Sequence, residues 1–276
     1  MSTSQRLLSI NVVVVVIGVL AVPLLAKIAM DDFREPDFQD ARVSISWMRS
    51  YYKNPQPELV AKFFRAQDKI GSIRAGSSSA FAGFLAGAIK SDPSIAKDII
   101  DSASSLSEGA ASVVARGIAF SGLEQSGALL ANLRENQPEP STPTIRDNQT
   151  QDILNYPIEK IGGAPDMFLG YYVATGNEVA IAKIASTILW LNDSGDNLEN
   201  KYWAVRAGAN LTNMAKRDPK VLEVCQKLME NESGDLRGAL SSVIDWAKST
   251  QANLSQKQLL DVYGDATGLS SWEFID

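Results

Sequence analysis

Apolar side chains recur every three or four residues along most of this chain, and this spacing restricts its fold more than any other feature. Between Pro57 and Lys248 the apolar runs follow that period, and glycine, proline or a capping Asp, Asn or Ser bounds them. The stretch from Val43 to Tyr52 also shows the alternation of a strand, but a helix is favoured there because every later segment is helical. The pattern predicts an all-α fold.

Capping residues indicate where individual helices begin. Asp92-Pro93 and Asp218-Pro219 each place a carboxylate before a proline that suits the first helical turn. Ser107, Asn177 and Ser233 precede apolar runs in the same way. We therefore expect a helix to begin after each of these positions, and we interpret the two aspartates as caps rather than as paired catalytic carboxylates.

The sequence around Asp92 recurs 126 residues later. Lys90–Ile95 reads KSDPSI and Lys216–Val221 reads KRDPKV. The coincidence predicts two structurally equivalent helical units, although shared helix-start chemistry is the alternative explanation. At the same offset further positions correspond: Leu85 with Leu211, Ser107 with Ser233, Val114 with Leu240, Ile118 with Ile244 and Phe120 with Trp246.

Paired amphipathic helices joined by Asp-Pro or glycine turns resemble the HEAT-like and TPR-like α-solenoid class. The resemblance covers Pro57 to Lys248, and the fixed period and signature residues of either family are missing. It implies protein binding through a concave helical surface. The stretch from Pro165 to Asn177 is also similar to segments of exported bacterial helical proteins.

The N-terminal stretch Leu7–Met30 is strongly apolar and predicts a membrane address. A helix needs about 20 mainly apolar residues to cross roughly 30 Å of hydrocarbon, and this stretch supplies them. A signal anchor is favoured over a cleaved signal peptide, because Ala26 and Ala29 are not preceded by the small residues of a cleavage site. We expect a single-pass inner-membrane protein with a periplasmic body, or a body exported to the periplasm after cleavage.

Proline clusters divide the rest of the chain. Arg134–Thr150 contains three prolines among polar residues, which is typical of a connection between lobes. The chain ends in Trp272–Asp276, which either docks on the body or supplies a partner peptide. The predicted divisions are a signal anchor or signal peptide (1–30), a linker with a short helix (31–56), a first helical lobe (57–134), a Pro-rich connection (135–164), a second helical lobe (165–252) and a C-terminal tail (253–276).

Charge and residue usage exclude several classes of function. The formal net charge is −6, and an acidic surface repels phosphate backbones, so nucleic-acid binding is not expected. The chain contains no histidine, which removes the Ser–His and Cys–His nucleophilic pairs and the commonest metal ligand. Cys225 lies between Leu222 and Leu228 at a helical core position. We expect no catalytic residue, no metal and no small-molecule cofactor.

Aromatic residues and an arginine concentrate in the predicted second lobe. The cluster comprises Tyr171, Tyr172, Trp190, Tyr202, Trp203 and Arg206, and it forms either part of the core or a partner-binding groove. Trp, Tyr and Arg often dominate interfaces, so Tyr171, Tyr172, Trp203 and Arg206 are the candidate partner-binding residues. The sequence thus predicts a non-enzymatic, membrane-tethered adaptor or structural subunit of a bacterial envelope assembly, such as a secretion or surface machine. Its partners would be other proteins of a membrane complex. The alternative is an all-α enzyme that uses carboxylates to act on envelope polymers.

Overall fold

The computed structural model describes residues 36–73, 78–136, 150–160, 163–193 and 197–249, and within these ranges the chain is helical and has no strand. The all-α prediction is confirmed for this part of the chain. In order, the helices are α1 (Ala41–Ser50), α2 (Pro57–Lys69), α3 (Ser78–Ser91), α4 (Ser94–Asp101), α5 (Glu108–Phe120), α6 (Ser126–Glu135), α7 (Ala164–Thr175), α8 (Glu178–Thr187), α9 (Leu198–Arg217), α10 (Pro219–Asn231) and α11 (Gly234–Lys248). Short helical segments lie at Tyr51–Lys53, Ala103–Ser105, Ile153–Asn155, Ile158–Lys160 and Trp190–Asp193.

Two predicted segments, the anchor at 7–30 and the tail at 253–276, lie outside the described residues. Half of the Pro-rich connection, residues 137–149 and 161–162, lies outside them as well. Among the helices that the structure describes, none has both the length and the apolar character needed to cross a bilayer. The membrane tether stays a prediction.

Three of the five predicted helix starts are confirmed by capping hydrogen bonds. Asp218, Asn177 and Ser107 each accept a hydrogen bond from a backbone N–H in the first turn of the following helix, at 3.3, 2.9 and 3.3 Å. The prediction for Asp92 is wrong by one residue: Pro93 is the N-cap and α4 begins at Ser94, whose N–H donates to the Asp92 carboxylate at 3.0 Å. Ser233 directly precedes α11 without a side-chain cap. Hydrogen bonds between neighbouring residues therefore set the starts of these helices.

Helices α3 and α7 form a central pair that packs backbone against backbone. A Cβ on Gly83 of α3 would lie 1.8 Å from the carbonyl oxygen of Met167, and a Cβ on Gly170 of α7 would lie 1.9 Å from that of Ala80. Only hydrogen fits at these two positions, so the glycines permit the close approach. Because α3 and α7 belong to the predicted first and second lobes, helices from both halves share one hydrophobic core.

Some helix contacts correspond in the two halves. In the first half α4 contacts α2 and α3, and α3 contacts α5; in the second half α10 contacts α8 and α9, and α9 contacts α11. The match is partial, because α10 also packs on α11 and α8 on α9, whereas α4 and α5, and α2 and α3, make no comparable contact. At the 126-residue offset, the last residues of α3 and α9 correspond, as do the first residues of α5 and α11. Buried positions also correspond: Leu85 and Leu211, Ile95 and Val221, Ile99 and Cys225, Val114 and Leu240, Ile118 and Ile244. Superposition of the two units stays a prediction.

Candidate functional site

Tyr171 and Tyr172, two of the predicted partner-binding residues, lie in the core. Each is 1% exposed, because α7 is covered on almost every side. Their hydroxyl groups reach polar neighbours at the edge of the core: Tyr171 faces Lys90, and Tyr172 donates a hydrogen bond to Asp218 at 3.1 Å. Burial raises the pKa of both hydroxyls, which stay protonated. The structure therefore presents neither ring to a partner.

Arg206, the third predicted residue, is held by a buried carboxylate from α7. Its Nε donates to Asp166 Oδ1 at 2.8 Å, and its Nη2 lies 2.7 Å from Oδ2 in an ion pair. Asn210 donates to the same Oδ1 at 2.9 Å, and Arg206 Nη1 donates to the Tyr202 hydroxyl at 3.0 Å. Asp166 is 2% exposed, whereas the Arg206 side chain is 22% exposed. The buried Asp166 carboxylate therefore fixes the guanidinium on its inner side, and part of the Arg206 side chain is exposed to solvent.

Pairing with Asp166 keeps the Arg206 guanidinium positively charged. Burial works to lower the pKa of the guanidinium, but the neighbouring Asp166 carboxylate outweighs it and raises the pKa above its ordinary value. Nη2 and Oδ2 form an ion pair at 2.7 Å, and Oδ2 has no hydrogen-bond partner among the residues that the structure describes. The pair is therefore held chiefly by charge and by the Nε bond.

An aromatic and apolar surface surrounds the outer side of Arg206. Leu198, Tyr202 and Arg206 follow one another at four-residue spacing, which places them on one face of α9. Leu198 is 61% exposed, and the rings of Tyr202 and Trp203 are half-buried and meet edge to face with centroids 4.7 Å apart. We call Leu198, Tyr202, Trp203 and Arg206 the α9 ledge. It combines exposed apolar area with a fixed cation.

Leu198 was not among the predicted residues, whereas Tyr202 belonged to the predicted aromatic cluster. Tyr202 was visible in the sequence as a neighbour of Trp203, but its role as a hydrogen-bond acceptor for Arg206 depends on the helix geometry. Leu198 starts the helix after a capping asparagine, and apolar residues there usually face the core. The exposure of Leu198 depends on which helices pack against α9, and no pattern in the sequence predicts it.

A second polar cluster joins three distant parts of the chain at Asp218. Asp218 Oδ2 accepts hydrogen bonds from Tyr52 at 2.7 Å and from Tyr172 at 3.1 Å, and Lys53 Nζ lies 3.3 Å from Oδ1. The predicted N-cap role is therefore only part of what this residue does. The carboxylate also ties the turn at Tyr51–Lys53 and helix α7 to the start of α10. Its partners are remote in sequence, so no local pattern could identify them.

Replacing Tyr52 by phenylalanine is expected to raise the pKa of Asp218. Burial works to raise that pKa in the native protein, but hydrogen bonds from Tyr52, Tyr172 and Lys53 outweigh it and hold the pKa below its ordinary value. A lowered pKa contributes stability above the ordinary carboxyl pKa, and this stability is lost as the pH falls through the folded-state pKa. The variant should therefore lose less stability on acidification than the native protein.

The pKa is measured by NMR titration of the Asp218 carboxyl carbon, and the stability by urea unfolding at pH 7 and pH 3. Tyr156→Phe is the matched control, because Tyr156 is half-buried against Phe120 and belongs to another part of the surface. An unchanged Asp218 titration in the Tyr52 variant would show that the hydrogen bond does not control this carboxylate.

The described residues show no arrangement for metal binding. Within them, no group of three or more His, Cys, Asp or Glu side chains is placed to hold an ion. Cys225 is 0% exposed, and burial raises the pKa of its thiol to about 12. The thiol stays protonated at neutral pH, so its predicted role as a core residue is confirmed.

Comparisons of the chain with protein-family models, with curated proteins and with solved structures found no match. The geometry of the α9 ledge and the pattern of the sequence therefore carry the functional argument.

Proposed function

We propose that this chain is a membrane-tethered, non-enzymatic adaptor or structural subunit of a bacterial envelope assembly, and that it binds partner proteins through the α9 ledge. The observation that carries the proposal is the pairing of exposed Leu198 and half-buried Tyr202 and Trp203 with an arginine fixed by a buried carboxylate. Trp, Tyr and Arg supply much of the binding energy at protein interfaces. A side chain already held in place loses little conformational entropy on binding.

The two-unit architecture supports the same function. The helix contacts that correspond and the shared buried positions described above favour a duplicated helical unit. Stacked helical units present continuous surfaces that suit protein binding. In this proposal the second unit presents the ledge, while the close contact between α3 and α7 joins the units.

The tether supports an envelope location. Leu7–Met30 is long and apolar enough to cross a bilayer, and a long domain that follows such a segment is usually translocated. Six residues, 31–36, separate the segment from the turn that buries Phe38, and six residues span at most roughly 20 Å when extended. The body would then stay close to the membrane surface, within reach of other membrane-anchored subunits.

The test is recovery of partners by the full-length, detergent-extracted protein, identified by mass spectrometry and then titrated. The double variant Leu198→Ala/Trp203→Ala is expected to weaken binding at least tenfold, because it removes the apolar part of the ledge. Val179→Ala is the matched control, since Val179 is an exposed apolar residue on α8 at 49% exposure. Undiminished binding by a folded ledge variant would exclude this surface as the interface.

A further inference from the structure

Helix α1 has one side in the core and a basic side that faces solvent. Trp47 and Tyr51 are buried, at 8% and 3% exposure. Arg42, Arg49 and Lys53 follow one another at seven- and four-residue spacing, which places them on the opposite side, and all three are exposed. Helix α1 and the short helical segment that continues it contain no Asp or Glu. The first helix after the apolar stretch therefore carries cations alone, although the whole chain has a formal net charge of −6.

Arg217, the last residue of α9, adds a fourth cation to this side of the body. Burial lowers the pKa of the Arg49 guanidinium, and the nearby charge of Arg217 lowers it further. Lys53 reaches the same place, because its Nζ lies 3.3 Å from Oδ1 of Asp218, the residue that follows Arg217. We call Arg42, Arg49, Lys53 and Arg217 the basic face. It brings together cations from two distant parts of the chain.

Two arginines of the basic face have no carboxylate partner within the described structure. Neither Arg49 nor Arg217 forms an ion pair there. Asp218 is already engaged by Lys53 and by two tyrosine hydroxyls. Like charges held close together repel, and an external anion between them offsets that cost. The planar guanidinium suits phosphate oxygens in particular, because it can donate two parallel hydrogen bonds to them.

The basic face lies beside the point where the predicted tether joins the body. The Phe38 ring packs edge to face on Trp47 of α1, with centroids 4.9 Å apart. Residues 31–36 separate this turn from the apolar stretch, so the tether would hold the turn within roughly 20 Å of the membrane. Anionic lipid headgroups attract Lys and Arg that lie near the membrane surface. These observations favour lipid phosphate over an acidic partner protein, because the tether keeps the lipid surface within reach.

We propose that the basic face binds anionic phospholipid headgroups of the membrane that holds the chain, and that this contact orients the helical body. The proposal rests on the membrane tether proposed above and does not depend on the α9 ledge. It assigns to Arg49 and Arg217 a ligand of phosphate chemistry.

Fluorescence quenching of the full-length chain in nanodiscs tests this contact. A fluorophore is attached to the variant Ser46→Cys, because Ser46 is exposed on the same side of α1, whereas native Cys225 is 0% exposed and escapes labelling. The discs contain phosphatidylcholine alone or with about 30% phosphatidylglycerol, and both carry lipids with a quencher on the headgroup. Quenching should be strong in the anionic discs and weak in the neutral discs. It should be lost as the salt concentration rises, because salt screens exposed charges.

The double variant Arg49→Gln/Arg217→Gln tests the residues of the basic face. It should reduce the ratio of lipid-bound to free body roughly 30-fold, which corresponds to about fivefold for each cation. The matched control is Lys97→Gln/Arg237→Gln, which removes two exposed cations from α4 and α11 and changes the net charge equally. The control should behave like the native protein. If the double variant fails to fold, Arg49→Gln alone should give the fivefold loss.

Equal quenching in neutral and anionic discs would overturn the proposal, and so would equal losses in the double variant and its control. Unchanged quenching together with loss of an acidic partner protein from Arg49→Gln/Arg217→Gln would assign the basic face to that partner instead.

Failure of the proposed function would appear differently. Without a tether the chain would separate from the discs, and quenching by added anionic vesicles but not by neutral ones would then decide the basic face alone. Failure of the ledge would appear as partner binding that is insensitive to Leu198 and Trp203, with the quenching intact.

Discussion

Gly170→Ala is expected to lower the free energy of unfolding by about 3 kcal/mol. The added methyl group would lie 1.9 Å from the Ala80 carbonyl oxygen and 2.6 Å from the Phe84 backbone nitrogen. Both atoms belong to the backbone of α3, which cannot move aside without separating the central helix pair. The loss corresponds to a fall in melting temperature of roughly 6–12 °C for a domain of this size, measured by calorimetry or circular dichroism.

Two other helical glycines provide the control for this prediction. A Cβ on Gly127 of α6 or on Gly238 of α11 would meet nothing within 4 Å. Alanine at these positions should raise the free energy of unfolding by about 0.5–1 kcal/mol, because it reduces the conformational entropy of the unfolded chain. If Gly170→Ala behaved like these controls, α3 and α7 would not be in backbone contact.

Arg206→Ala is expected to lower the free energy of unfolding by about 3–5 kcal/mol. The substitution leaves the Asp166 carboxylate, which is 2% exposed, without the cation that compensates its burial. Asn210 retains one hydrogen bond to that carboxylate, and a single neutral donor offsets only part of the cost. Chemical denaturation monitored by circular dichroism measures the effect.

The double variant Asp166→Leu/Arg206→Met tests the cause. Replacing both charges by apolar side chains of similar size removes the uncompensated charge, so most of the stability should return. Trp203→Ala, on the same helix and half-buried, should cost less than Arg206→Ala. Equal losses in the single and double variants would mean that the arginine contributes through packing rather than through charge.

These expectations affect how binding data on Arg206 are interpreted. Because Arg206 supports the junction of α7 and α9 as well as reaching the surface, its removal can weaken binding without loss of a direct contact. Leu198 and Trp203 carry no such structural pair with Asp166. Variants at these two positions therefore report on the ledge itself.

Features set by neighbouring residues could be predicted from the sequence. The helix starts after Asp218, Asn177 and Ser107 depend on a side chain bonding a backbone N–H two or three residues away. The all-α class follows from the 3.6-residue period of the apolar side chains. The core role of Cys225 follows from the same period.

The tertiary structure decided which faces stay open. Tyr171 and Trp203 are both aromatic residues in apolar helical segments, yet α7 is covered on almost every side and α9 is not. The apolar pattern of a segment predicts which side of its helix is apolar. Whether that side is covered depends on helices from elsewhere in the chain. Exposure is therefore a property of long-range packing.

Long-range packing also supplied the partners of the charged residues. By itself, the sequence determined the helices, their caps and their amphipathic faces, because these depend on contacts within a few residues. Only the tertiary structure joined Asp166 to Arg206 and Asp218 to Tyr52, and only it turned Gly83 and Gly170 into contact points. The physical reason is that these interactions join atoms whose separation along the chain is unrelated to their separation in space.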